Sequence, residues 1–447
     1  MSDLKSYKLP GKAHLFMGFH DTSAINAATA RMVVLAVDCM DRPPIAGDKA
    51  AVCIADWDSG EVQQVGETDA WNFPQGSRQH FVGGSAISYN VSIDGEWAGV
   101  VQELGSGKRT QLERPLYAIH PKKPVGFGLN FARLHRLGGY GYVGCKDATA
   151  AEAAPRGDGL WEVDLVSGRA RLLVSIHAAC TALGASLPLD RPHYFTHIVP
   201  SPSGKDLCFL HRYWLPDGGI QTRLLVCAAD GSGLHCRAEG YLSHFDWVDD
   251  DVIMIWGRPP SSLQKGRNHP LLRFPGVRQV VQLGKPLIRR VLGKSAATQG
   301  SYMLIPPGGY QGQSFARGLL TEDGHPSFRP VTRDWLLTDT YPNGERWRTL
   351  MLSPVKAPVI HVVARLQEVG IKARTDMLAG ATAGMDATVL RSFKPESFAH
   401  TRSGIHCDFH PRWRPDGKAV CIDSNHEGHR ALYSVSVDSL VKGGIAS

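Results

Sequence analysis

The chain has 447 residues, 43% of them hydrophobic and 20% charged, with a formal net charge of +7. That length can bury a substantial core without disulfide staples, and no run of five or six Lys or Arg supplies a basic arm for nucleic acid. The opening MSDLKSYKLPGKAHLF carries no apolar signal core and nowhere do eighteen apolar residues run together, so neither a secretory leader nor a membrane span is expected.

The 48 glycines and 28 prolines fall between short apolar runs, which predicts many short strands joined by turns. Along the chain a turn-then-strand pattern recurs. It is weak in SIDGEWAGVVQEL from Ser92 and HPKKPVGFGLNFAR from His120. It is clear in PSPSGKDLCFLHR from Pro200, WVDDDVIMIWGRP from Trp247, RPVTRDWLLTDTYP from Arg329 and RPDGKAVCIDSNHEG from Arg414. A second hairpin accompanies it in AVCIADWDSGEVQQV, GLWEVDLVSGRARLLV, TRLLVCAADGSGLHC and ALYSVSVDSL. Together they make a four-stranded unit repeating about every 40–50 residues, the period of a propeller blade. The prediction is an all-β, seven-bladed β-propeller spanning residues 1–447 as one domain. Insertions that decorate a rim are expected at about 258–301 and 355–403, where HVVARLQEVGIKARTDML could form a helix or an irregular hairpin.

Nine cysteines, an odd number with no CxxC pair, lie mostly within apolar runs; reduced thiols in a cytoplasmic protein are expected.

The chemistry is concentrated at one repeat position. Four units place a histidine at the start of the strand that leads into the turn: His197 in THIVPSPSG, His244 in SHFDWVDDD, His325 in GHPSFRPVT and His410 in FHPRWRPDG. The innermost strand of each blade lines the central channel, so equivalent positions should point into one space, as for a metal site or an acid–base cluster. In GIHCDFHPRW, His406, Asp408 and His410 alternate and share one face of an extended strand. With His325 they form a candidate four-ligand set. Arg223, entering the strand TRLLV beside His211 and Arg212, is a candidate carboxylate clamp. Aromatic-rich segments offer candidate sugar contacts at Trp71, Asn72, Gln75 and Arg78 and at Asn130, Arg133, Tyr140 and Tyr142, to which His197 and His211 are added. His426 and His429 read as loop residues, and His20, His80, His120 and His135 have no repeat support.

From about Phe195 to Val435 the sequence resembles the oligogalacturonate lyases, seven-bladed propeller enzymes of pectin breakdown. The resemblance rests on FLHRYW…TRLLV, SHFDW, GHPSF followed by WLLTDTYP, and HPRWRPDGKAVCIDSNHEGHRALY. It implies a general-base histidine at His244, a catalytic arginine at Arg223, and metal-ligand histidines at His325 and His410. Asp408 stands where the family has a ligand histidine, and Ile405 where it has a ligand glutamine, with His406 next to it as a replacement. The implied cofactor is a divalent metal, manganese first, with zinc, nickel or iron(II) as alternatives. The implied reaction is β-elimination on an acidic oligosaccharide, with no nucleic acid or membrane partner. A propeller also hosts glycosidases, lyases for other uronate linkages, and non-catalytic sugar- or protein-binding scaffolds.

Overall fold

The computed structural model describes residues 4–181, 187–215, 219–258, 300–391 and 404–443. Those residues form five four-stranded antiparallel sheets and one seven-stranded sheet, with only short helices between them. The first sheet is built from His14–Phe16, Arg31–Val37, Ala50–Asp56 and Val62–Thr68. The second is built from His80–Val82, Ala86–Ile93, Glu96–Glu103 and Arg109–Leu112, and the third from Ala118–Ile119, Val125–Gly128, Gly159–Asp164 and Ala170–Ser175. The fourth and largest runs from His193–Pro200 through Asp206–Trp214, Ile220–Ala228, His235–Trp247, Ile253–Arg258 and Ser301–Ile305 to Ser314–Phe315. The fifth comprises Ser327–Phe328, Trp335–Asp339, Trp347–Pro354 and His361–Gln367.

The last sheet joins the two ends of the chain. Arg412–Trp413, Ala419–Ser424 and Ala431–Ser436 take their fourth strand from Lys5–Tyr7, in the register Ser6 opposite Tyr433. Tyr7 Oη donates to Trp57 O at 3.0 Å and lies 2.9 Å from Ser434 Oγ, tying the first sheet to the last. Such circular closure by a terminal strand is how a propeller-type architecture avoids an open edge.

Each sheet alternates its side chains, and apolar residues from neighbouring sheets pack between them. Phe127, Leu160 and Val174 of the third sheet meet Phe195, Phe209 and Leu225 of the fourth. Trp335, Leu337 and Leu350 of the fifth meet Trp413, Ile422 and Tyr433 of the last. A four-stranded sheet buries both faces only in this way.

The expected insertions are partly revised. Residues 259–299 lie outside the described residues, but Gly257 pairs with Ser301, so the segment joins two adjacent strands. The second segment does not begin at 355. Of the two expected forms the irregular hairpin is the one present: His361–Gln367 is a strand, paired from Trp347 opposite Gln367 to Leu352 opposite His361, with a register shift between Leu350 and Met351. Only two short helices follow, Leu378–Ala381 and Ala387–Arg391, before residues 392–403, which are outside the described set. Among the described residues no helix is long and apolar enough to cross a membrane.

Candidate active site

The four repeat-equivalent histidines converge. Two of them sit in β-bulges of inner strands: pairing breaks between Thr196 and Val199, which frees His197, and between Leu242 and Phe245, which frees His244. A bulge re-aims the side chain it releases. His325 and His410 lie two residues ahead of the inner strands Ser327–Phe328 and Arg412–Trp413. His197 and His410 have positive φ angles, 55° and 42°, a left-handed conformation that costs energy in a non-glycine residue and concentrates at functional sites. Ring centroids are 4.3 Å apart for His244–His325, 4.4 Å for His325–His410 and 6.4 Å for His197–His244.

Phe19 fills the middle of this group, with its ring 4.9 Å from that of His197 and 5.0 Å from that of His410. The segment carrying it is pinned by Met17 N and Gly18 N, which donate to the two oxygens of Asp423. Gly18 has φ +95°, and a Cβ there would lie 2.5 Å from Gly76 N, so only glycine lets the two chains pass. Behind Phe19, His20 is buried with neither ring nitrogen hydrogen-bonded among the described residues, and burial pushes its pKa well below the usual histidine value. His20 also lines a second cavity, about 1000 Å³, whose lining from His120, Lys122 and Trp413 does not overlap that of the first.

In front of Phe19 lies a cavity of about 520 Å³, lined by Gln75, Tyr140, His197, Arg212, Tyr241, His244, Asp323, His325, Tyr341, Arg348, His406, Asp408 and His410 among others. Single ligand atoms of His325, Asp408 and His410 all lie within 4.8 Å of one another. His406 Nε2 is 3.0 Å from Asp408 Oδ2, and its Nδ1 is buried without a partner among the described residues. His325 Nδ1 is 2.9 Å from Asp339 Oδ1, which leaves Nε2 for the cavity. This carboxylate–imidazole contact is the outer-shell arrangement that orients metal-bound histidines. The donor set therefore fits a divalent ion, with imidazole nitrogen and carboxylate oxygen and no sulfur.

The charges are arranged in layers. Burial opposes ionisation of Asp408, yet His406 and Arg348 hold its pKa well below the usual carboxylate range. Arg348 Nη1 donates to Asp408 Oδ1 at 2.7 Å, and Arg348 Nη2 donates to Glu368 at 3.2 Å. Burial also opposes the charge on His325, but Asp339, Asp408 and Asp323 raise its pKa. His410 goes the other way, held low by burial and by His325. His244 Nδ1 is 3.1 Å from Asp323 Oδ1. A carboxylate accepts, so Nδ1 carries the hydrogen and Nε2 keeps the lone pair.

The remaining expectations divide. Tyr140 and His197 line the cavity. Arg223 does not: it faces His211 across the strand pair and donates to Ala179 O at 3.2 Å. Arg212, one residue away from His211 and so on the opposite face, lines the cavity instead. His211 is likewise outside, 2.9 Å from His193 Nδ1. Arg133 is buried on the helix Phe131–Gly138, donating to the carbonyls of His193, Thr149, Glu152 and Ala153, and burial lowers its pKa to about 10. Tyr142 stacks on Phe131 at 4.5 Å in the core, and Trp71 is a core residue whose Nε1 donates to Asp48 O. Indole and phenol rings serve blade cores as readily as sugar clefts. Phe19, Asp323, Tyr341 and Arg348 carried no sequence signal, since none belongs to the repeat position.

No protein-family model matches the chain, and no curated protein matches its sequence. Among solved structures, an oligogalacturonate lyase from Vibrio parahaemolyticus aligns over 98% of this chain and 97% of its own, at 10% identity and a TM-score of 0.57. The chain has the fold of that lyase. The likeness thus extends well beyond the C-terminal half in which the sequence resemblance is clearest. A second oligogalacturonate lyase, in complex with manganese, covers 99% of this chain at 12% identity with a TM-score of 0.38. A xyloglucanase from Xanthomonas campestris covers 95% of the chain and 53% of its own at 11% identity, with a TM-score of 0.44.

Proposed function

We propose that the protein is a metal-dependent lyase that cleaves acidic oligosaccharides of the oligogalacturonate class by β-elimination, on a single-domain propeller of seven blades. The blade count is supported by reading the long strand His235–Trp247 as shared between two blades: its first half, up to Gly240, pairs with Ile220–Ala228, and its second half, from Tyr241, pairs with Ile253–Arg258. The observation that carries the function is the convergence of His244, Arg212 and the His325–His406–Asp408–His410 group on one cavity.

A uronate carbon next to a carboxylate is weakly acidic, and its proton leaves only if the charge that develops on the carboxylate is stabilised. A divalent ion at His325, His406, Asp408 and His410 supplies that Lewis-acid stabilisation when bound. Manganese(II) suits the imidazole and carboxylate donors, with zinc, nickel or iron(II) as alternatives. Arg212 adds a guanidinium opposite the same carboxylate, in the role the resemblance assigns to Arg223. His244 accepts the proton at Nε2 while Asp323 holds Nδ1–H and stabilises the imidazolium. The glycosidic oxygen then leaves from the neighbouring carbon. Tyr140, Tyr241 and Tyr341 offer aromatic walls for sugar rings. The aspartate at 408 and the isoleucine at 405 depart from the family pattern, and this favours a lyase for another uronate linkage as the second reading. The nine unpaired thiols support a cytoplasmic location.

The test is ultraviolet absorbance of the unsaturated product with oligogalacturonate as substrate, with and without a chelator. No product from any oligouronide in the metal-loaded protein would sink the proposal. His410→Ala is expected to lower the bound metal by one equivalent, as read by elemental analysis. Arg212→Ala is expected to lower kcat/KM by about 10- to 100-fold, the loss of a charged hydrogen bond. Arg223→Met should lower the unfolding midpoint and leave kcat/KM unchanged. The reverse outcome would return the clamp to Arg223.

A further inference from the structure

Away from the cavity, a second group of ligand-type side chains is buried at the junction of the third and fourth sheets. Cys180 lies near the end of the short helix Ile176–Thr181, His193 begins its strand, and His211 lies on the adjacent strand. All three are buried, and one ligand atom from each lies within 4.8 Å of the others. None of them lines the cavity that holds His325.

The hydrogen bonds fix which nitrogens carry hydrogens. His193 Nε2 is 3.0 Å from Pro188 O, and a carbonyl only accepts, so Nε2 is the donor. In the neutral pair each ring carries a single hydrogen. His193 Nδ1 is therefore a bare lone pair aimed at His211 Nε2, 2.9 Å away. His211 Nε2 must then carry a hydrogen, and its Nδ1 is left as a buried lone pair with no partner among the described residues. Moving the hydrogen to Nδ1 turns both facing nitrogens into donors toward a common ion. The distances suit one: tetrahedral bonds of about 2.0–2.1 Å set two nitrogens roughly 3.3 Å apart, and Cys180 Sγ is 4.0 Å from His211 Nε2. The Pro188 carbonyl on His193 Nε2–H is the outer-shell partner such a ligand needs.

We propose that Cys180, His193 and His211 form a second, structural metal site for a zinc(II)-class ion. The site is distinct from the channel site in chemistry, one sulfur and two nitrogens against nitrogen and oxygen alone. Arg223 gains a place here: it pairs across from His211, and although burial pushes the Cys180 thiol up to about 12, the nearby guanidinium works against that shift.

Cobalt(II) distinguishes the two sites, because only a thiolate ligand gives a sulfur-to-metal charge-transfer band in the near ultraviolet. Chelator-stripped full-length protein titrated with cobalt(II) should develop that band. Cys180→Ser should abolish it and lower the bound metal by one equivalent, with circular dichroism unchanged. His193→Gln should weaken it, and His410→Ala should leave it intact while removing the channel equivalent. A band that is absent from the wild type, or that persists in Cys180→Ser, overturns the proposal. Neither result depends on lyase activity, so this site and the catalytic reading fail separately.

Discussion

His244→Ala is expected to lower turnover of an oligouronide by about 10²–10⁴-fold, the usual loss when a positioned base is removed. Bound metal and KM should be nearly unchanged, because the imidazole is neither one of the His325–Asp408–His410 ligands nor the carboxylate clamp. The tautomer of His244, more than its proximity, suits it to accept a proton. Asp323 Oδ1 accepts from Nδ1 at 3.1 Å, which keeps the lone pair on Nε2 in the resting enzyme. Asp323→Asn weakens that polarisation without emptying the position, so it should cost less than loss of the ring and should act on kcat rather than KM. Product release at the wild-type rate from His244→Ala would exclude this base, leaving His197 as the remaining cavity imidazole outside the proposed ligand set.

Repetition made much of this readable in advance. The segment from Arg414 does form the turn and strand expected of it, with Gly417 at φ +67° in the turn and Ala419–Ser424 paired opposite Ala431–Ser436. His197, His244, His325 and His410 were found because one register, copied from blade to blade, points one way for every copy. What failed was parity. Arg212 and Arg223 both flank the same apolar hairpin, but Arg223 pairs across from His211 and shares its face, whereas Arg212 is one residue over. A shift of one residue reverses the face of a strand, and nothing in TRLLV or LHRYW states which face meets the axis. Trp71 and Tyr142 failed for a different reason, since a large aromatic side chain is equally suited to a packed core. Phe19, Asp323 and Arg348 reach the cavity from a pinned loop, the loop just ahead of His325 and the third strand of the fifth sheet, where no periodic pattern could single them out.

Loss of Arg348 should be the most damaging single change to the site's stability. The side chain is buried, and it bridges the buried Asp408 and the half-buried Glu368. Arg348→Met keeps most of the volume and removes the charge, leaving the buried Asp408 without its guanidinium partner and with only the imidazoles of His406 and His410 beside it. Breaking a buried pair in this way costs roughly 3–5 kcal/mol, measurable as a fall in unfolding free energy by denaturant titration of the chelator-treated protein. The same variant frees Asp408 Oδ1 and removes a positive charge from beside the proposed ion. Metal at the channel site should then compensate the carboxylate that Arg348 had balanced, and the destabilisation should shrink when manganese(II) is added in excess. The comparison separates two roles for Asp408. If it is a ligand, the stability loss depends on metal; if it only anchors Arg348, the loss is the same with and without metal. The second outcome would leave His325, His406 and His410 as the sole protein ligands in the channel.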